Sequence, residues 1–108
     1  MWDNGPGEQG VSHVVLIAED DAATLAGWAA YVHDAGFSAV PASSFAEAHR
    51  LLPFVRPDVL VTDIRLGEYN GLQLVVQAGT LEAAPAVIVT SGYEDPVLVA
   101  EAARLGAT

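Results

Sequence analysis

The chain has 108 residues, 52% of them hydrophobic, with no cysteine and a formal net charge of −10. That length and apolar content suffice for one domain with its own core, and the lack of cysteine excludes disulfides, thiolate metal sites and cysteine nucleophiles and fits a reducing cytoplasm. The only cations are Arg50, Arg56, Arg65 and Arg104, so the acidic surface argues against direct contact of this segment with nucleic acid or anionic membranes, and no stretch reaches the roughly 18 apolar residues of a membrane span. Residues 1–12 lack a basic region and an apolar core of signal-peptide length; they read as a flexible leader before a single domain over residues 13–108.

Apolar runs and helical patterns then alternate, the signature of βαβ units and a mainly parallel sheet with helices on both faces. The first strand is His13 to Ala18. Asp21 caps a helix whose apolar positions Leu25, Trp28, Ala29 and Val32 share one stripe, with Gly36 as its stop. A short strand, Ser38-Ala39-Val40, leads to Ser44-Phe45-Ala46-Glu47, a capping box opening a helix with Phe45, Ala48 and Leu52 inward and Pro53 and Pro57 closing it. The third strand, Val59 to Thr62, is nearly all apolar, as a central parallel strand should be. Asn70-Gly71 starts a helix with Leu72, Val75 and Val76 on one stripe, and Pro85 introduces a fourth strand, Ala86 to Thr90. Asp95 and Pro96 open a last helix with Leu98, Ala102 and Leu105 on one face and Gly106 at its end. A fourth strand this apolar should not be a bare edge, so another segment is expected to cover it.

Glu19-Asp20-Asp21 follow the first strand directly, and Asp63 ends the third. If the two strands are parallel neighbours, Glu19, Asp20 and Asp63 converge in the crevice where open α/β sheets hold ligands. Gathered carboxylates raise one another's pKa unless a cation neutralises them, and hard oxygen donors suit Mg²⁺ or Mn²⁺. Asp21, opening a helix, reads as a cap. Asp58 lies at the other end of its strand and reads as solvated, Trp28 as core, and His13, His33 and His49 share no ligand spacing.

The acidic set after the first strand, Asp58 to Leu66 with Asn70-Gly71, Val87 to Tyr93, and Ala102 to Ala107 together resemble the receiver domain of bacterial two-component response regulators, from about His13 to Thr108. The resemblance implies a flavodoxin-like (CheY-like) doubly wound sheet of order 2-1-3-4-(5), with the fifth strand and helix missing from this chain. It further implies Asp63 as phosphoacceptor, Asp20 and Glu19 as metal-site acids with Glu19 acting through water, and the Arg65 backbone carbonyl as a further Mg²⁺ ligand. Ser91 becomes the switch hydroxyl, with Thr90 as the registry alternative, and Arg65 and Tyr93 tune dephosphorylation. The implied partner is a sensor histidine kinase or phosphotransfer protein, with a second copy or a downstream output domain as reader.

Two departures stand out. The family's lysine at the end of the fifth strand has no counterpart, since the 108 residues contain no lysine, and the missing fifth strand and helix are expected to reflect shortening rather than natural deletion. Gly67-Glu68-Tyr69 replaces the family's usual Pro-Gly loop. The expected activity is therefore a switch, not an enzyme, with weak autophosphorylation and autodephosphorylation at most. The alternatives are an unphosphorylated pseudo-receiver interaction module and, disfavoured by Arg65 where an acid would follow the nucleophile, an Mg²⁺-dependent aspartyl-phosphate phosphatase.

Overall fold

The computed structural model describes residues 13–90 and Arg104. The expected leader, Ser91, Tyr93 and, apart from Arg104, the helix expected from Pro96 lie outside the described residues. Chain order is β1 (Val14–Ala18), α1 (Ala22–Asp34), β2 (Ser38–Ala42), α2 (Phe45–Val55), β3 (Val59–Asp63), β4 (Arg65–Leu66), β5 (Tyr69–Asn70), α3 (Leu72–Gly79) and β6 (Ala86–Thr90). Four strands form a parallel sheet in the order β2-β1-β3-β6, and β4 and β5 pair as a separate antiparallel hairpin. With β6 as the fourth parallel strand, this is the doubly wound order expected from the sequence.

Alternation along the central strands divides the core between two faces. Leu16, Ala18 and Leu60 pack with Ala48 and Leu52 of α2 and Leu74, Val75 and Ala78 of α3, while Val15 and Ile17 pack with Leu25, Trp28 and Val32 of α1. Both faces of β1 are thus covered, which explains why Val15 to Ala18 are all buried and why the run is continuously apolar. Asp21 caps α1 as expected, its carboxylate accepting from the Thr24 N–H at 2.9 Å and from the Thr24 hydroxyl at 2.7 Å. The capping box of α2 is made one residue wide: Ser44 Oγ accepts from the Glu47 N–H at 3.1 Å, while Glu47 reaches past the cap to the Ser43 N–H at 2.8 Å.

Several expectations change. β2 runs on through Pro41 to Ala42, because a strand at the sheet edge tolerates a residue without an N–H. Pro53 does not close α2, which continues to Val55. The proline deprives the His49 carbonyl of its intrahelical donor, and the Gln77 side-chain amide of α3 replaces it, donating to His49 O at 3.1 Å while its Oε1 meets His49 Nδ1 at 2.9 Å. Val76 is 52% exposed; the inward stripe of α3 is Leu72, Leu74, Val75 and Ala78. Asp58, though half exposed, is not merely solvated: its carboxylate accepts from the Val14 N–H at 2.7 Å, and its carbonyl accepts from the Ala86 N–H at 3.0 Å. It ties the starts of β1 and β6 to that of β3.

Among the described residues only β3 pairs with β6. Ile88 is 43% exposed and joins Ile17, Trp28, Tyr31, Val32 and Val61 around an apolar groove of about 270 Å³ on the α1 side. An open, apolar edge favours pairing with any further strand.

Candidate functional site

β1 and β3 run parallel in register, Ala18 beside Thr62, so the residues that follow β1 meet the last residue of β3. This is also where the chain's winding reverses, β1 leading to β2 on one side and β3 to β6 on the other, the switch point at which α/β sheets open a crevice. Glu19, Asp20 and Asp63 each place a carboxylate oxygen here, and these oxygens lie within 4.8 Å of one another. The convergence expected from the sequence is therefore present, and Asp21 is turned away to its helix.

Each acid is held differently. Glu19 is buried, its N–H donating to Ala42 O at 3.1 Å and its Oε1 accepting from the Asp21 N–H at 2.9 Å. Asp20 is exposed, and its Oδ2 accepts from the Gly67 N–H at 2.9 Å. That bond joins the β4–β5 hairpin to the acidic cluster. Gly67 has a φ of +62°, the left-handed conformation that a two-residue hairpin loop asks of its first residue when the turn is of type II′.

Burial pushes the Glu19 carboxyl above its ordinary value, the Asp21 N–H opposes the shift, and the neighbouring charges of Asp63 and Asp20 reinforce it. Asp63 is pushed the same way by burial, with the Arg65 and Ile64 N–H groups opposing and the Asp20 charge reinforcing. Asp21 moves down instead, because the Thr24 hydroxyl and N–H both donate to its carboxylate.

The raised pair has a consequence for folding. Between the unfolded values near pH 4 and the raised folded values, the native state holds more protons than the unfolded chain, so stability falls as pH rises through that window and levels off above it. Urea unfolding against pH is expected to show this decline in metal-free protein, a shallower one in Asp63→Asn, and none with saturating Mg²⁺.

The other candidates fall as follows. Arg65 is exposed at the start of β4 and pairs with Asn70 across the hairpin. Thr90 is the register partner of Asp63; its Oγ1 is buried, without a hydrogen-bond partner among the described residues. Ser91 and Tyr93 lie outside those residues.

Sequence reasoning misses three features. Thr62 is fully buried, and its hydroxyl donates to the Asp63 carbonyl at 2.9 Å. Gly71, which reads in the sequence only as a helix start, donates its N–H to Ile64 O at 2.6 Å and packs so closely that a Cβ there would clash with Asp63 O and lie 2.9 Å from Thr62 Oγ1. Tyr69 of the hairpin stacks on Phe45 with centroids 4.7 Å apart, and Phe45 on His49 at 5.6 Å, carrying the hairpin onto α2. A lone hydroxyl ending an apolar strand is the one available signal for the first.

The donor set of three carboxylates, with two acids pushed toward protonation by burial and mutual repulsion, fits a hard divalent cation such as Mg²⁺ or Mn²⁺.

Comparison with known proteins agrees with this fold. A crystal structure of a response regulator receiver protein from Pseudomonas putida is 28% identical, with a TM-score of 0.81 over 92% of this chain and 84% of that one. A receiver domain protein (CheY-like) from Methanospirillum hungatei is 22% identical with a TM-score of 0.83, covering 90% of this chain and 78% of that one, a likeness of fold alone. Among curated proteins, the alginate biosynthesis transcriptional regulatory protein AlgB of Pseudomonas putida is 29% identical over 93 residues, 86% of this chain but 21% of that protein. The chain thus spans about a fifth of the curated relatives it matches. The sequence profile of the response regulator receiver domain matches residues 15–108, and the chain belongs to that family.

Proposed function

We propose that this domain is a phosphoacceptor switch in which Asp63 takes a phosphoryl group from a histidine kinase or phosphotransfer protein. The observation that carries the reading is the meeting of Glu19, Asp20 and Asp63 within 4.8 Å at the strand ends. A carboxylate oxygen of Asp63 forms the new bond to phosphorus, the phosphorus–nitrogen bond of the donor histidine breaks, and the imidazole leaves with that electron pair and takes up a proton. Glu19, Asp20, Asp63 and the Arg65 carbonyl are the groups that would hold Mg²⁺. A divalent cation bound there supplies the charge that offsets the carboxylates and shields the incoming phosphoryl oxygens. The Arg65 N–H, which bears on the Asp63 carboxylate, serves as a donor to the transferred group.

The product is an acyl phosphate on the domain itself, so the domain acts as a signalling switch rather than a turnover enzyme. Ser91, or Thr90 beside it, would turn toward the added charge and reorganise the segment that follows. Arg65 and Tyr93 would set how fast water removes the phosphoryl group. The curated relatives are named transcriptional regulatory proteins, and an output of that kind, in a longer natural protein in the cytoplasm, is the proposed reader.

Beryllofluoride, which mimics an aspartyl phosphate, tests the reading. In the full natural chain, ¹⁹F NMR is expected to show bound beryllofluoride only with Mg²⁺ present and not in Asp63→Asn. A wild type that binds none would instead favour the unphosphorylated interaction module.

A further inference from the structure

We propose that Thr62 is a positioning residue for the acceptor: its buried hydroxyl fixes the peptide plane on which the Asp63 carboxylate is mounted. The inference rests on the phosphoacceptor reading of Asp63 and adds a residue to that site.

Asp63 is the last residue of β3 and the last register pair of the β3–β6 ladder. No further register pair follows it among the described residues, so the bonds that hold the plane joining Asp63 to Ile64 matter individually. At the nitrogen end, the Ile64 N–H donates to Thr90 O at 2.9 Å. At the oxygen end, the Asp63 carbonyl accepts from Thr62 Oγ1 at 2.9 Å, with the bare Cα of Gly71 packed against the same oxygen. One peptide unit is thus tied at both ends, and its Ile64 N–H is one of the groups that bear on the acceptor carboxylate.

Thr62 is also the one hydroxyl in Val59-Leu60-Val61-Thr62-Asp63, and it is completely buried. A valine would fill the same volume without a polar atom that needs a partner, so packing alone does not call for threonine here. What the hydroxyl adds is direction. Small displacements of a reacting group are costly, a shift of about 1 Å reaching roughly 100-fold in rate.

The test uses the full natural chain with Mg²⁺ and beryllofluoride as probe, measuring affinity beside the thermal unfolding midpoint for wild type, Thr62→Val and Thr62→Ser. Thr62→Val, which keeps the shape and loses the hydroxyl, is expected to bind beryllofluoride roughly tenfold more weakly. Thr62→Ser, which keeps the hydroxyl but loses a buried methyl, is expected to unfold at lower temperature yet bind as wild type does. Affinity following the hydroxyl rather than the midpoint supports the positioning role. Wild-type affinity in Thr62→Val, or affinities that simply follow the midpoints, would overturn it and leave Asp63 as acceptor untouched. Should Thr62→Val fail to fold, Thr62→Ser decides alone: wild-type affinity despite a lowered midpoint supports the role, and weakened binding overturns it. No binding in wild type itself would remove the acceptor reading and this inference together.

Discussion

Gly71→Ala is expected to lower stability by about 3 kcal/mol and to abolish most Mg²⁺ and beryllofluoride binding. A Cβ at this position has nowhere to go: it would clash with the Asp63 carbonyl oxygen, with Thr62 Oγ1 2.9 Å away and the Asp63 carbonyl carbon 3.1 Å away. These neighbours are backbone and a fully buried side chain, so relief requires moving the end of β3 or the start of α3, and the first choice displaces Asp63 itself. The Gly71 N–H bond to Ile64 O, 2.6 Å long, would stretch with either. Gly27→Ala is the control. Gly27 lies inside α1, and a Cβ there would meet no atom within 4 Å, so the change should stabilise by about 0.5–1 kcal/mol through helix preference. Thermal unfolding of both variants, with a Mg²⁺ titration, separates a lost site from a generally weakened fold.

Asp20→Ala is expected to lose Mg²⁺ affinity by more than the roughly 10–100-fold that outer-shell changes cost. Asp20 is the exposed member of the cluster, so its removal takes away one carboxylate of the proposed ion site without opening a cavity. Two effects compound. The ion loses a hard oxygen donor, and the Gly67 N–H loses its acceptor, freeing the hairpin that begins with Arg65. Metal-free Asp20→Ala should be no less stable than wild type, because relief of repulsion on Glu19 and Asp63 offsets the lost hydrogen bond. Calorimetric titration with Mg²⁺ measures the first effect and urea unfolding the second. Unchanged Mg²⁺ affinity would contradict the assigned donor set.

What can be read from the sequence follows from where periodicity and strand ends carry information. β1 and β3 are legible because they are interior strands of a parallel sheet and nearly all apolar, and Glu19, Asp20 and Asp63 are legible because each sits where such a run stops. Asp21 is separable from them by the helical pattern that follows. The errors come from residues whose rule has a tertiary exception. Pro41 ends β2 too early in the sequence because its edge position is invisible there, and Pro53 ends α2 too early because the replacement donor, Gln77, lies 28 residues from the His49 carbonyl it serves. Val76 reads as inward because α3 is short, and two adjacent valines leave the phase of its stripe ambiguous. The β4–β5 hairpin has two residues per strand, too few for any period to register. Thr62 and Gly71 escape notice because they act on the backbone of Asp63, and no residue pattern marks a carbonyl oxygen as crowded or bonded.

The central claim is that Asp63 forms an acyl phosphate in a cation-dependent way. It is tested most directly by mass spectrometry of the full natural chain after incubation with acetyl phosphate and Mg²⁺. One phosphoryl group per chain is expected, mapping to the peptide that contains Asp63, released by hydroxylamine as an acyl phosphate must be, and absent when Mg²⁺ is chelated or in Asp63→Asn. A phosphoryl group that persists in Asp63→Asn, resists hydroxylamine, or forms equally well without Mg²⁺ would contradict the account.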